Sequence, residues 1–257
     1  MKLSAAVLFA AAAMLACAAS AGAVDGTIEI NQAKVIAAGG FPYAISTSAS
    51  YRLTGNLTVT SASANALDVS VSHVTIDLNG FSISGASGEA TYGINANETD
   101  ITVENGTITG FGFGVVTGNN GIVRNLHADS NGDGIATGAN SVVQGCTADS
   151  NTANGIYSTG SGLVVSGNSA NSNSKVGIGA GVGSTISGNS VNSNSGSGIY
   201  CNGGGCVISN NTIDDNNPDG INADSTTGYG GNVLNGNGTN VSAGTSMKNN
   251  VCNGVVC

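Results

Sequence analysis

Apolar positions recur along this chain with a long, nearly constant period. The stretch CVISNNTIDDNNPDGI at residues 206–221 has near-copies before it: TISGNSVNSNSGSGI from Thr185, LVVSGNSANSNSKVGI from Leu163, VVQGCTADSNTANGI from Val142 and a more degraded IVRNLHADSNGDGI from Ile122. The Gly-Ile or Gly-Val pairs closing these units start at Gly93, Gly114, Gly134, Gly155, Gly177, Gly198 and Gly220, at spacings of 21, 20, 21, 22, 21 and 22 residues. A period in the 20s held this long marks a solenoid, whose units bury their apolar faces only by stacking on neighbours.

Within a unit the apolar runs are too short for helices, and Gly and Asn interrupt them repeatedly. In residues 207–213, alternation places Ile208 and Ile213 inward and Ser209 and Thr212 outward, with Asn210 and Asn211 at a corner. Gly adopts left-handed backbone angles freely and Asn does so at modest cost, which accounts for their alternation at corners. Two inward columns follow: Val103, Val123, Val143, Val165, Ile186, Ile208 and Ile108, Ala128, Ala148, Ala170, Val191, Ile213. A third is Ile135, Ile156, Ile178, Ile199, Ile221. Like residues would lie about 4.8 Å apart, and stacked Asn side chains can hydrogen-bond along the axis. Three short strands per coil predict an all-β, single right-handed parallel β-helix of about eight to ten coils, on the order of 40–45 Å long. The leucine-rich-repeat signature and the GGxGxD calcium-roll signature are both missing.

The coils resemble the right-handed parallel β-helix repeats of the pectate-lyase-like superfamily, with V-I-S-N-N-T-I-D-x-N-x-x-x-G-I as the clearest copy. The stretches YRLTGNLTV, VTIDLNGFSISG and VSAGTSMKNNVCNGVVC resemble more narrowly a group of uncharacterised exported bacterial β-helix proteins. The resemblance implies the fold over nearly all of residues 24–257. It implies no one activity, because lyases, hydrolases, epimerases, binding proteins and adhesins share this fold. The Arg or Lys base beside calcium carboxylates of the lyases, the NTD, Gly-His-Gly and Arg-x-Lys of the hydrolases and the DPH of the epimerases are not found here.

Residues 1–23 read as a signal peptide: Lys2, an apolar run at residues 3–19 and a small-x-small site, Ala21-Gly22-Ala23. A lipoprotein anchor at Cys17 is the minor alternative. Residues 24–50 read as an N-terminal cap holding a short helix, NQAKVIAA, capped by Asn31 and stopped by Gly39-Gly40. The β-helix is assigned to residues 51–238 and a C-terminal cap or tail to residues 239–257. No later stretch is apolar enough for a membrane span. Without Lys2, five basic residues face 15 acidic ones and form no basic stripe, so nucleic acid is excluded as a partner, and polyanionic sugars and anionic membrane surfaces are disfavoured for the same reason. Export permits disulfides, and the spacings pair Cys201 with Cys206 and Cys252 with Cys257. Cys146 takes the place of Asn168, Asn189 and Asn211 in its coil and is expected buried and free. No zinc-type ligand spacing is present.

Candidate chemistry comes from the register. Glu104, Arg124 and Gln144 fall in one outward column, His127 after the next corner, and Asp129 and Asp149 in a third column. This is the weak candidate catalytic patch; its stacked carboxylates would also suit a calcium ion. The bland reading is an exposed ion pair beside solvated carboxylates, with the corner parting Arg124 from His127. Tyr157 and Tyr200, outward and two coils or about 9.6 Å apart, are candidates for stacking on sugar rings. The function expected is non-catalytic binding of carbohydrate or another surface through the flat sides. The alternatives are a polysaccharide-active enzyme, glycoside hydrolase or lyase-like, with unrecognised catalytic residues, and an adhesin or structural rod.

Overall fold

The computed structural model describes residues 26–257 apart from Thr159; the expected signal peptide and Cys17 lie outside the described residues. Short strands stack in parallel register into three sheets around one core. The first sheet starts at Ile28–Ile30 and runs through Ser50–Leu53, Val74–Asp77, Val142–Gln144, Val164–Ser166, Thr185–Ser187 and Val207–Ser209 to Thr245–Ser246. The second includes Leu57–Thr58, Ser190–Asn192, Thr212–Asp214 and Val233–Asn235. The third runs from Tyr43–Ile45 through Asp133–Ala136, Ile156–Tyr157, Ile178–Ala180 and Ile199–Cys201 to Thr239–Val241. The solenoid has about 11 turns, slightly more than expected. The reason is visible at its ends, where the segments expected as caps also contribute strands: Ile28–Ile30 pairs with Ser50–Leu53, and Thr239–Val241 with Asp219–Asn222.

The inward columns form as the alternation demands. Val103, Val123, Val143, Val165, Ile186 and Ile208 are fully buried, as are Ile108 through Ile213 and Ile135 through Ile221 in the other two columns. The first corner is left-handed at Asn105, Asn125, Gly145, Gly167, Gly188 and Asn210, the expected Asn and Gly alternation. The next corner is left-handed at Ser130, Ser150, Ser172 and Ser193, a use of serine that propensity does not suggest. At the N-terminal end, Asn31 caps the helix Gln32–Ala37 by accepting the Lys34 N–H at 3.0 Å, and Val35 packs into the core. At the other end, Val251–Cys252 pairs antiparallel with Val255–Val256, and the Cys252–Cys257 disulfide ties the turn. The Cys201–Cys206 disulfide closes a glycine-rich loop at the edge of the third sheet.

Two ladders of asparagine, buried except at Asn237, run through the interior beside the corners. One comprises Asn168, Asn189, Asn211, Asn232 and Asn250; the other comprises Asn131, Asn151, Asn173, Asn194, Asn216 and Asn237. Asn189 shows the pattern. Its Oδ1 accepts the N–H and the Nδ2 of Asn168, while its Nδ2 donates to Asn211 Oδ1 at 2.9 Å and to the Val165 carbonyl at 3.0 Å. Every amide atom is thereby paired in a side chain only 2% exposed, which meets the requirement for burying a polar group. The second ladder explains the Gly-Ile signature. A Cβ on Gly155 would stand 2.6 Å from Asn173 Nδ2, and one on Gly177 would stand 2.6 Å from Asn194 Nδ2. Glycine is required there so the amides can lie against the backbone.

Cys146 ends the first ladder. Its N–H donates to Asn168 Oδ1 at 2.8 Å, and its thiol, buried and free, points at the Gln144 and Val123 carbonyls. Burial pushes the thiol pKa from 9.0 up to about 11. Because the folded pKa lies above the unfolded one, the stability linked to this proton is present below pH 9.0 and is lost as pH rises to about 11. The loss amounts to about 3 kcal/mol. Urea midpoints of the parent should fall across this window relative to Cys146→Ala, and parallel curves would contradict the burial.

Asn189→Ala removes the acceptor for two buried donors on Asn168 and should cost about 2–6 kcal/mol. Ser187→Ala, on the outer side of the same coil, should stay within about 0.5 kcal/mol. Equal urea midpoints for the two variants would contradict the ladder account.

Candidate functional site

The first and second sheets divide the residues of the candidate patch. Glu104 pairs in register with Arg124, and Arg124 with Gln144, on the first sheet. Arg124 Nε meets Glu104 Oε2 at 2.5 Å, with the arginine side chain 49% exposed and the glutamate 15%. The same column continues back through Asp77, Arg52 and Glu29, so the pair belongs to a run of mixed charge along one edge.

His127, Asp129 and Asp149 sit past the left-handed corner at Asn125, on the second sheet. There Thr147 links them: its hydroxyl donates to Asp129 Oδ2 at 3.3 Å, leaving its oxygen to accept from His127 Nδ1 at 2.7 Å. Asp129 Oδ1 accepts the Asp149 N–H, and Asp149 accepts the Ser169 hydroxyl and the Asn171 N–H. These carboxylates tie one rung to the next. The structure brings Glu104 to Arg124 and His127 to Asp129, but no hydrogen bond or ion pair among the described residues joins the two groups. Nor do three His, Cys, Asp or Glu side chains converge as metal ligands among the described residues.

Tyr157 and Tyr200 share an outward column on the third sheet, with Gly179 between them. A Cβ on Gly179 would lie 2.5 Å from Tyr157 Cδ2, so the tyrosine ring rests over that glycine. Tyr200 hydroxyl donates to Asn202 Oδ1 at 3.3 Å. Both rings are half-buried, with the remainder open to solvent.

The same sheet carries a feature that periodicity does not reveal. Residues 85–91 interrupt the register between Ser84, Gly88 and Tyr92, and the inserted segment lies on the next coil. A Cβ on Gly112 would stand 2.0 Å from the Glu89 carbonyl oxygen. Beside this lip the Tyr92 and Phe113 rings stack, with centroids 4.9 Å apart and planes within 12°. Next to them opens a groove of about 390 Å³, lined by Glu89, Phe111, Phe113, Gly132, Asp133 and Ala153. Asp133 Oδ1 takes both the N–H and the Nδ2 of Asn154 at 2.8 Å, and Oδ2 has no hydrogen bond among the described residues. The Glu89 side chain is exposed and makes no hydrogen bond or ion pair among the described residues. The sequence carries one signal for this groove: the interruption at residues 86–91 precedes Phe111-Gly-Phe113 by one coil.

A family model, the right handed beta helix region, matches residues 43–185. The chain belongs to the right-handed β-helix family. Among solved structures it is similar to the Dettilon tailspike protein (gp208), at 15% identity and TM-score 0.65, over 86% of this chain and 57% of that one. The chain thus spans little more than half the tailspike's length. It is also similar to the A-modules of two Azotobacter vinelandii mannuronan C-5 epimerases. For AlgE6 the identity is 16% and the TM-score 0.63, over 88% of this chain and 80% of that one. For AlgE4 the values are 15% and 0.51, over 90% and 85%. At these identities the likeness is one of fold. No curated protein matches the sequence.

With the Arg124 side chain half-exposed, its pair with Glu104 should contribute little. Arg124→Ala should change the unfolding free energy by less than about 1 kcal/mol, less still at high salt. A loss of several kcal/mol, insensitive to salt, would place the pair in a buried network instead.

Proposed function

We propose that this protein is an exported, non-catalytic glycan-binding β-helix that holds an extended polysaccharide along its third sheet. The observation that carries this reading is a set of rings in two neighbouring files along the third sheet: Tyr92 stacked on Phe113 in the file of Asp133, and Tyr157 and Tyr200 in the file of Val116 and Ala136, three residues across. Rungs rise about 4.8 Å each, so Phe113, Tyr157 and Tyr200 stand two rungs apart in turn and span about 19 Å along the axis. Flat rings offer apolar faces to sugar rings, and the groove at Phe113 offers a place for one end of the chain. Polar groups flank the row for hydroxyl recognition: Asn95, Asp133, Asn154 and Asn222. The Azotobacter vinelandii neighbours are named for action on mannuronan, which supports a saccharide as the ligand class. Export is supported by the leader-like residues 1–23 and by two disulfides, which suit an oxidising compartment.

One observation favours a second reading, glycan cleavage: Glu89 and Asp133 both line the groove, and a glycosidase needs two carboxylates about its scissile bond. Reducing-sugar and unsaturated-uronide assays on any glycan that binds decide between the two readings. Sustained release of new chain ends would favour the enzyme.

The binding reading is tested on a glycan array followed by calorimetry with Tyr157→Ala and Tyr200→Ala. Each substitution should weaken binding roughly 2- to 10-fold, from about 0.5–1.5 kcal/mol of ring contact, with thermal unfolding little changed. No glycan bound by the parent, or an unchanged affinity in the double variant, would overturn it.

A further inference from the structure

We propose that the third sheet selects a glycan bearing amino groups, and that the groove between Glu89 and Asp133 is the subsite for one protonated amine. The inference rests on the glycan-binding reading of that sheet and specifies its ligand. Charge along the aromatic row is predominantly negative. Asp68 lies toward the N-terminal end, Glu89 and Asp133 on the groove, and Asp219 beyond Tyr200.

Three of these carboxylates are held by neutral amides: Asp68 by Asn65 and Asn95, Asp133 by Asn154, and Asp219 by Asn222. Such bonds orient a carboxylate but do not cancel its charge. Among the described residues the one basic residue beside the row is Lys175, which follows Ala153 in the column that floors the groove. Arg52 and Arg124 project from the first sheet, and Lys34 sits in the N-terminal helix. The row therefore presents net negative charge to whatever lies along it, carried mainly by Asp68, Glu89 and Asp133, since Asp219 is buried.

A glycan built of uronates would bring like charge to every rung, and like charge held close disfavours binding. An ammonium group meets the opposite. In the groove, Asp133 Oδ2 and the unpaired Glu89 carboxylate can accept its N–H bonds, and the Phe113 ring, held by its stack on Tyr92, offers a π-face to the cation. The volume of about 390 Å³ accommodates a single sugar ring with its substituents.

The test is calorimetry with three β-1,4-linked hexasaccharides of matched length: glucosamine, N-acetylglucosamine and mannuronate. The glucosamine hexamer should bind about 10-fold more tightly than the N-acetyl form, with the mannuronate hexamer weakest. Its advantage should shrink as salt is raised, because exposed charges are screened. Glu89→Gln and Asp133→Asn should each weaken the glucosamine hexamer several-fold more than they weaken the N-acetyl hexamer, and equal losses for the two hexamers would overturn the amine subsite. Equal binding of the amine and N-acetyl hexamers, both weakened by Tyr157→Ala, would overturn the selectivity while leaving the third sheet as a glycan surface. A preference for mannuronate, or an amine preference that survives both carboxylate substitutions, would also overturn it. Binding of none of the three would remove both the selectivity and its basis.

Discussion

The buried asparagine amide is the constraint on which the rest of this molecule depends. A primary amide has two donors and an acceptor that takes two bonds, and an interior site must satisfy all of them or pay a desolvation penalty. Here the amides within the ladders, Asn189, Asn211, Asn173 and Asn194 among them, are each satisfied by one neighbour above, one below and one backbone carbonyl. The arrangement works at one vertical offset only. A coil displaced by a single residue would leave donors without acceptors along its corner and would turn inward isoleucines outward. Apolar stacking alone would tolerate such slips better, because it is non-directional. The ladders therefore lock the register that the apolar columns merely favour. They also dictate composition, since the second ladder leaves no space for a side chain at Gly155, Gly177 or Gly198.

Locked register turns a repeat into a surface. Outward side chains on successive coils fall into straight files, so chemistry on each sheet is set by what the repeat places at one position. The first sheet receives mixed charges and the Arg124–Glu104 pair. The second receives Asp129, Asp149 and Asn171, each of whose Oδ1 atoms accepts the next rung's N–H. The third receives rings and carboxylates that are less fully used in holding the solenoid together. That difference, between polar groups consumed by the stack and groups left over, separates the face able to bind from the faces that do not need a ligand to explain them.

Most of the fold is legible in the sequence because the period is the structure. Ile186 is buried for the same reason as Val165 and Ile208, and the spacing alone reveals it. Asn210 and Gly188 are readable as corners because only residues tolerant of left-handed angles recur there. Ser150 and Ser172 at the next corner are not, since serine carries no such preference and is held there by its neighbours. The candidate patch shows the limit of reading by register. Glu104, Arg124 and His127 are close in coil number, yet Asn125 turns the chain between them and sends their side chains from different sheets. The groove shows the opposite failure. It exists because residues 85–91 depart from the repeat, and a departure from periodicity has no position that periodicity can assign.

The account's central claim is that a glycan lies along the third sheet, over rings placed there by the register. Hydroxyl-radical footprinting with and without a saturating glucosamine hexamer tests this most directly, since it reads every aromatic side chain at once. Phe113, Tyr157 and Tyr200 should each lose reactivity on binding, while Tyr43, at the N-terminal end, should not change. Protection confined to residues of the first or second sheet, or no protection of the three rings by a hexamer that binds, would contradict it.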